Sequence, residues 1–391
     1  MSLFPTYSKY DVTPVKGEGT YLYDVNGKRY LDFTSGIGVI NLGHCHSMIT
    51  KAIQKQAETL CHTSNLFHIV GQETVARKLC QYSGLDAVFF CNSGAEANEA
   101  AFKLARKWGN EARLIEHPKI ITFKHSFHGR TLATLTATGQ DKVKQGFAPY
   151  PEGFITVPFQ DIDHIKRITG SQIVAVCIEL VQGEGGVHPS DRQFVQDLAN
   201  WCQEKNILLM VDEIQTGMGR TGELFAYQTY GIQPDIVTLA KGLGNGFPVG
   251  AMLATERLKP YFGPGSHGST FGGNPLAMAV AEAVINEMTQ PSFLQEVREK
   301  GDQLFQSLKE MCVEIEEVIE VRGLGLMIGI ELNRPVGSVI QQLTQKGLLT
   351  VAAGEKVIRL LPPLTVTTKQ IQDAIEMIQQ VLNPSQVAVF T

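Results

Sequence analysis

What this chain lacks narrows its class first. Among its 391 residues, no apolar stretch approaches the roughly 18 residues that a membrane-crossing helix needs. No Cys-x-x-Cys pair occurs. The seven cysteines, an odd number, lie scattered at Cys45, Cys61, Cys80, Cys91, Cys177, Cys202 and Cys312. That scatter fits a reducing compartment rather than a disulfide frame. There is no block of like charge, and the net charge is −5, so neither a nucleic-acid partner nor a membrane surface is expected. Residues 1–10 lack the charged-then-apolar layout of a signal peptide. Repeats and low-complexity tracts are also missing, as is the glycine-lysine fingerprint of a nucleotide P-loop. The expectation is a cytoplasmic globular protein, long enough for more than one structural unit at about 100–200 residues per domain.

What is present is alternation. Apolar runs of strand character stand at 87–90, 120–123, 154–157, 173–178, 207–211, 236–240 and 249–254. Helical spacing fills the gaps. Ala97, Ala100, Ala101, Leu104, Ala105 and Trp108 share one helix face, and Phe194, Val195, Leu198, Ala199 and Cys202 share another. Strands alternating with helices imply a mostly parallel sheet covered on both faces. Ahead of this region, Tyr21–Val25 and Arg29–Phe33 flank Asn26-Gly27, a hairpin turn signal, and a helix is expected over 46–60. Beyond 292 the texture changes. A helix over 295–318 leads to one glycine-broken strand at 321–331, then a helix (336–346), short strands to Pro363 and a last helix (368–382). The fold class expected is α/β, with a large unit over 51–291 and a smaller α+β unit from 1–50 and 292–391.

Two residues carry the chemistry most clearly. Asp212 and Lys241 each end an apolar run, and ligands of open α/β sheets bind outside the carboxyl ends of the strands. An acid and an amine at two such ends suit a cofactor held by a pyridine nitrogen and an aldehyde, namely pyridoxal phosphate. Solvated loop residues are the plainer alternative. Ser93, Gly94 and Ala95 open a helix, where free N–H groups and the helix dipole favour an anion. An ordinary serine cap fits them equally well. In Phe127-His-Gly-Arg130, the aromatic ring can cover a pyridine face, and Arg130 can fork onto a carboxylate. Glu184 stands among glycines in Gln182-Gly-Glu-Gly-Gly186. Ser269 and Thr270 lie in a polar, glycine-rich stretch before a helix and can donate to a phosphate. His44-Cys-His46 has no second ligand cluster of matching spacing, so no metal is expected.

Taken together, the ordered motifs resemble the class III aminotransferases, a subgroup of the fold-type-I pyridoxal-phosphate enzymes. The resemblance runs from the Asn26-Gly27 hairpin through Asn41-Leu-Gly-His44, Asn92–Ala97, Phe127–Thr131, Asp212–Gln215, Ala240-Lys-Gly242 and Thr270–Pro275 to Arg359-Leu-Leu-Pro-Pro363. The loop Gln182–Gly186, Phe127–Arg130 and Gly268–Thr270 follow the acylornithine-using members. Ornithine δ-aminotransferases typically carry an alanine after the loop glutamate. The resemblance implies a fold-type-I transferase with a seven-stranded, mostly parallel sheet, assembled as a homodimer with its active sites at the interface. It implies a Schiff base on Lys241, Asp212 on the pyridinium nitrogen, and Gln215 on the ring hydroxyl, with Glu213 and Ile214 in the same cofactor-binding stretch. Phe127 would stack on the ring. Ser93, Gly94 and Ala95 would hold the phosphate with Thr270 of the partner subunit. Arg130 would take the substrate α-carboxylate, and Ser269 would reach the acyl-bearing substrate. Arg359 would bind a carboxylate of 2-oxoglutarate or glutamate, with Glu184 neutralising it when the donor lacks that group.

The implied reaction moves the terminal amino group of N-acetylornithine to 2-oxoglutarate. Succinylornithine, ornithine and 4-aminobutyrate transamination, or an aminomutase, are rivals on the same scaffold. A non-catalytic, cofactor-binding regulator would need a nucleic-acid or partner module, and no basic helix-turn-helix candidate appears.

Overall fold

The computed structural model describes residues 2–168 and 172–383. An N-terminal hairpin sheet comes first, from β1 (Pro14–Glu18), β2 (Tyr21–Asp24) and β3 (Arg29–Asp32). The turn between β2 and β3 uses Asn26-Gly27 as expected, but only Gly27 takes a positive φ, 79°. Asp24 supplies the rest, its Oδ1 accepting from the N–H groups of Asn26 and Lys28, each at 2.9 Å.

Seven strands build the central sheet: β4 (Ala87–Cys91), β5 (Lys119–Phe123), β6 (Phe154–Val157), β7 (Ile173–Ile178), then, after the short ribbon β8 (Val181–Gln182) and β9 (His188–Pro189), β10 (Leu208–Asp212), β11 (Ile236–Leu239) and β12 (Gly250–Ala254). Their order across the sheet is β4-β12-β11-β10-β7-β5-β6. Only β12 runs against its neighbours β11 and β4. The expected strands all appear here, shifted by a residue or so at their ends.

The runs are continuously apolar because both faces are covered. Leu208 and Met210 face one cluster with Ala100, Ala101, Leu104 and Trp108 of the helix Gly94–Ala112. Leu209 and Val211 face the opposite cluster with Phe194 and Leu198 of the helix Arg192–Glu204. Every residue of β7 is buried, and each large aliphatic side chain there contributes about 1.5–3 kcal/mol by leaving water. Gly109 lets the helix Gly94–Ala112 come close, since a Cβ there would lie 2.5 Å from Val174 Cγ1.

The C-terminal part forms a second sheet from β13 (Val318–Leu324), β14 (Met327–Leu332), β16 (Val351–Ala353) and β17 (Val357–Leu360), in the order β13-β14-β17-β16. The single strand expected over 321–331 is in fact a hairpin. Gly325, at φ 57°, turns the chain between Leu324 and Met327. The two-residue strand β15 (Leu348–Leu349) instead joins β3 in parallel. The helix Ser47–Ala57 packs against Pro275–Met288. The expected boundary between 50 and 51 therefore falls inside a helix, and residues 384–391 of the expected smaller unit lie outside the described residues.

Arg220 ties three parts of the chain together. Fully buried, it donates to Leu326 O at 2.9 Å, Pro362 O at 2.5 Å and Asn41 Oδ1 at 2.6 Å. Burial lowers its pKa to about 9. Arg220→Met should cost about 3 kcal/mol, because buried acceptors lose their donors. A urea midpoint within error of the parent would remove that structural role.

Candidate active site

Five strand ends meet at one edge of the central sheet. β4 leads into Ser93 and the helix beginning at Gly94; β5 leads towards Phe127–Arg130; Glu179 follows β7; β10 ends on Asp212; and Lys241 lies just beyond β11. They surround a cavity of about 400 Å³ whose lining includes Ser93, Phe127, Glu179, Glu184, Asp212 and Lys241. Gly94, Ala95, Arg130, Ile214 and Gln215 also line it.

Asp212 is the most constrained of these groups. Its Oδ2 accepts from Asn98 Nδ2 at 2.8 Å and faces His128 Nδ1 at 2.8 Å, and its Oδ1 accepts from the Ile214 N–H at 3.1 Å. Asn98 is itself held, its Oδ1 accepting from Thr238 Oγ1 at 2.8 Å and its Nδ2 also donating to His128 O. A carboxylate so tethered is aimed before any ligand arrives.

Lys241 sits in the left-handed backbone region at φ 42°, a conformation that costs a non-glycine residue about 1–3 kcal/mol and clusters at functional sites. Burial lowers its pKa to about 8, opposed by Glu184 and reinforced by the positive charge of Arg359. An amine near 8 keeps a minor neutral fraction at about pH 7, far more than an ordinary lysine, and that fraction is what a catalytic lysine uses.

Ser93 caps the helix that begins at Gly94. Gly94 and Ala95 hold the first two positions of their helix, where no carbonyl lies one turn back within it. Ser93 Oγ accepts from the Glu96 N–H at 3.2 Å and donates to Glu96 Oε2 at 3.3 Å. The serine cap is therefore formed, and the hydroxyl would have to rotate to serve a phosphate.

Arg359, on β17, is 1% exposed. Its Nη1 meets Glu184 Oε1 at 2.7 Å and Gln215 Oε1 at 3.2 Å. Burial pushes the Glu184 carboxyl up, but the charge and hydrogen bond of Arg359 outweigh it and hold the group below its ordinary range. Arg130 lies over the Phe127 ring, 5.7 Å from its centroid.

Besides Arg359, which reaches the cavity only through Glu184 and Gln215, three expected residues stand apart from its lining. Glu213 continues the strand alternation onto the opposite face from Asp212. Its carboxylate accepts from the Ala226 and Tyr227 N–H groups, each at 2.9 Å, and from Thr216 Oγ1 at 3.0 Å. These bonds turn its side chain away from the cavity, and burial raises its pKa to about 7. Ser269 Oγ accepts from Asn92 Nδ2 at 3.1 Å and the Gly272 N–H at 3.0 Å, beside the cradle rather than in it. Thr270 is exposed. As for His44, its Nε2 meets Asp32 Oδ2 at 2.7 Å.

Sequence reasoning passed over three groups. His128 was within a quoted motif but unassigned. Asn98 is a polar intruder beside a buried alanine face. Glu179 ends an apolar run, the same signal that marked Asp212 and Lys241. It accepts from the Phe127 N–H at 2.9 Å, and burial, with the negative charge of Asp212, pushes its carboxyl well above the usual range.

The donor set fits pyridoxal phosphate: free helix-start N–H groups for a dianion, a fixed carboxylate for a pyridinium, and a low-pKa amine for an aldehyde. Comparison with known proteins agrees. The model of the family "Aminotransferase class-III" matches residues 5–382. The chain is 55% identical to the acetylornithine aminotransferase of Halalkalibacterium halodurans, over 98% of this chain and 99% of that one. It is 51% identical to the enzyme of the same name from Bacillus subtilis, over 97% of each. Among solved structures, the ornithine aminotransferase of Toxoplasma gondii, which carries pyridoxal phosphate at partial occupancy in its active site, superposes with a TM-score of 0.95 at 31% identity, covering 99% of this chain and 93% of that one. The N-acetylornithine aminotransferase of Stenotrophomonas maltophilia gives 0.85 at 34% identity, covering 97% and 98%. On a family match spanning nearly its whole length and a sheet edge that gathers the required acid, amine and anion cradle, this chain belongs to the class-III aminotransferases.

Proposed function

We propose that the chain uses pyridoxal phosphate to transfer the terminal amino group of N2-acetyl-L-ornithine to 2-oxoglutarate. The products are N-acetyl-L-glutamate 5-semialdehyde and L-glutamate, a step of arginine biosynthesis. The full-length match at 55% identity to a relative named for that substrate carries the reading.

Pyridoxal phosphate supplies an aldehyde that captures amines and a ring that draws off electrons as a C–H bond beside nitrogen ionises. The chain's own groups do the rest. Ser93 and the N–H groups of Gly94 and Ala95 hold the phosphate, joined by Thr270 of the partner subunit. Phe127 stacks on the ring, with Ile214 lining the cavity beside it. Asp212 keeps a proton on the ring nitrogen. Gln215 turns its amide to the ring hydroxyl, and the Lys241 amine would take the proton from the substrate carbon that bears the transferred nitrogen and deliver it to the former aldehyde carbon of the cofactor. Arg130 takes the α-carboxylate, and Ser269 reaches the acyl-bearing substrate. Arg359 receives the second carboxylate of 2-oxoglutarate or glutamate. When a neutral acyl tail enters instead, Glu184 stays on Arg359, so no buried guanidinium is left unpaired.

The assembly proposed is a homodimer in the cytoplasm. Exposed Leu66, Phe67, Val70 and Phe271 support it, as does Thr270, exposed outside its own chain's cavity. The division into a large unit (51–291) and a smaller one (1–50 and 292–391) is proposed with it, supported by the pairing of β3 with β15.

The test is a half-reaction. The cofactor-loaded protein is mixed in turn with acetylornithine, succinylornithine, ornithine and 4-aminobutyrate, and the cofactor absorbance is followed. Acetylornithine should react with the highest kcat/KM, about tenfold or more above ornithine, since a pocket built for a polar acyl group rejects a donor lacking it. Fastest bleaching by ornithine or 4-aminobutyrate would reassign the substrate.

A further inference from the structure

Arg322 lies outside the cavity lining, yet it is almost fully buried, and its donors converge on one short loop. Its Nε donates to Gly186 O at 3.0 Å and Val187 O at 3.1 Å. Nη2 donates to Gly186 O at 2.7 Å and lies 3.3 Å from His188 Nε2. Nη1 reaches Glu320 Oε2 at 2.8 Å and Glu331 Oε2 at 2.5 Å. The loop it grips begins two residues after Glu184.

The backbone there needs gripping. Gly186 takes φ 123° and Val187 takes φ 56°, and a β-branched residue at positive φ is a genuine outlier. These two successive turns point both carbonyls at the guanidinium. Val187 is fully buried, packed with Val181, Met327, Val357 and Leu361.

The sheet explains the arrangement. Arg322 pairs with Gly329, and Gly329 pairs with Arg359. The three form one row across β13, β14 and β17, and residues directly opposite in antiparallel strands project from the same face. The loop lies along that row. Glu184 meets Arg359 at one end and the 186 and 187 carbonyls meet Arg322 at the other. Between them Val187 rests on Gly329, where an added Cβ would stand 3.0 Å from Val187 Cβ. One arginine holds the side chain of the loop and the other holds its backbone.

We infer that Arg322 is a positioning residue, the fixed anchor about which the Glu184 side of the loop moves when a dicarboxylate replaces a neutral-tailed donor. This rests on the proposed role of Glu184 and Arg359. The anchored half, Gly186–Val187, stays on the sheet. In the other half, Gly183 and Gly185 pack closely on Gln215 and the His125 carbonyl, and the Glu184 side chain between them carries the carboxylate on or off Arg359. Without the anchor, Glu184 loses the backbone that returns it to Arg359, and the half-reaction that needs it there suffers alone.

The experiment measures KM for acetylornithine and for 2-oxoglutarate in separate half-reactions of the holoenzyme. The variants are Arg322→Lys, Arg322→Gln, Glu184→Gln and the double variant Arg322→Gln/Glu184→Gln. The Arg322→Lys variant keeps the charge facing Glu320 and Glu331, which protects folding, but its ammonium cannot fork onto two carbonyls. Both Arg322 variants should raise KM for acetylornithine about tenfold, the worth of a charge-assisted hydrogen bond, and leave KM for 2-oxoglutarate within about twofold. The double variant should be no worse than Glu184→Gln alone, because one coupled device is removed twice. Equal changes in both KM values, no change in either, or additive effects in the double variant would overturn the anchor role. If Glu184→Gln itself shows no split between the substrates, the proposed switch fails and the anchor falls with it.

Discussion

Replacing Lys241 by alanine is expected to lower turnover about 10⁴-fold, the upper range for removing a positioned acid–base group, with little loss of stability. The side chain sits at the edge of the cavity among Glu184, Arg359, Asp212 and Glu179, and its backbone is strained at φ 42°. Two readouts besides rate separate this from unfolding. Borohydride treatment followed by intact mass should fix a pyridoxyl group to the parent protein and none to Lys241→Ala. Capture of pyridoxal phosphate by the apo-protein should also depend on pH in a defined direction. Below about 8 the amine is protonated and cannot attack; above about 8 it is free. The capture rate should therefore rise through pH 8 and level off, where an ordinary lysine would still be climbing. A variant that keeps turnover, or a parent limb near the ordinary lysine value, would remove Lys241 from its role.

Asp212→Asn is expected to cost about 10³-fold in kcat, comparable to removing a preorganised charge from a developing ion. Two physical effects act together. A neutral amide no longer favours a proton on the ring nitrogen, so the ring withdraws electrons weakly. The amide also breaks a saturated network. One carboxylate oxygen faces Asn98 Nδ2 and His128 Nδ1, and the other faces the Ile214 N–H. Whichever way the amide turns, its NH₂ meets a donor, adding about 1–3 kcal/mol of destabilisation. The variant should still bind the cofactor through the phosphate cradle. An unchanged rate would show that the acid does not face the ring nitrogen.

The parts of this site that could be read from sequence were those announced by a break in a pattern. Asp212 and Lys241 end apolar runs, and Ser93–Ala95 interrupt a strand-to-helix passage with small residues. The seven central strands were legible for the same reason, since burial on both faces leaves long apolar runs. The turn at Gly325 was not, because three glycines within a run mark a break as readily as a hairpin. The direction of the Glu213 side chain was not legible, because sequence proximity to Asp212 hides the alternation that sends neighbours to opposite faces. Asn98 and His128 were beyond local reading, lying 114 and 84 positions from the carboxylate they hold. Arg322 was hidden likewise, since its partners lie about 135 residues earlier.

The pairing of β3 with β15 has a consequence for how the molecule is made. Leu31 donates to Gly347 O at 2.7 Å and Phe33 to Leu349 O at 3.0 Å. On the ribosome, the first hairpin emerges early and its outer edge stays open until residues near 349 follow. At about 5–20 residues per second, that wait is on the order of tens of seconds. Throughout it, the β3 edge offers unpaired N–H and C=O groups to any passing strand. A chaperone that shields this edge during synthesis should therefore raise the yield of folded protein.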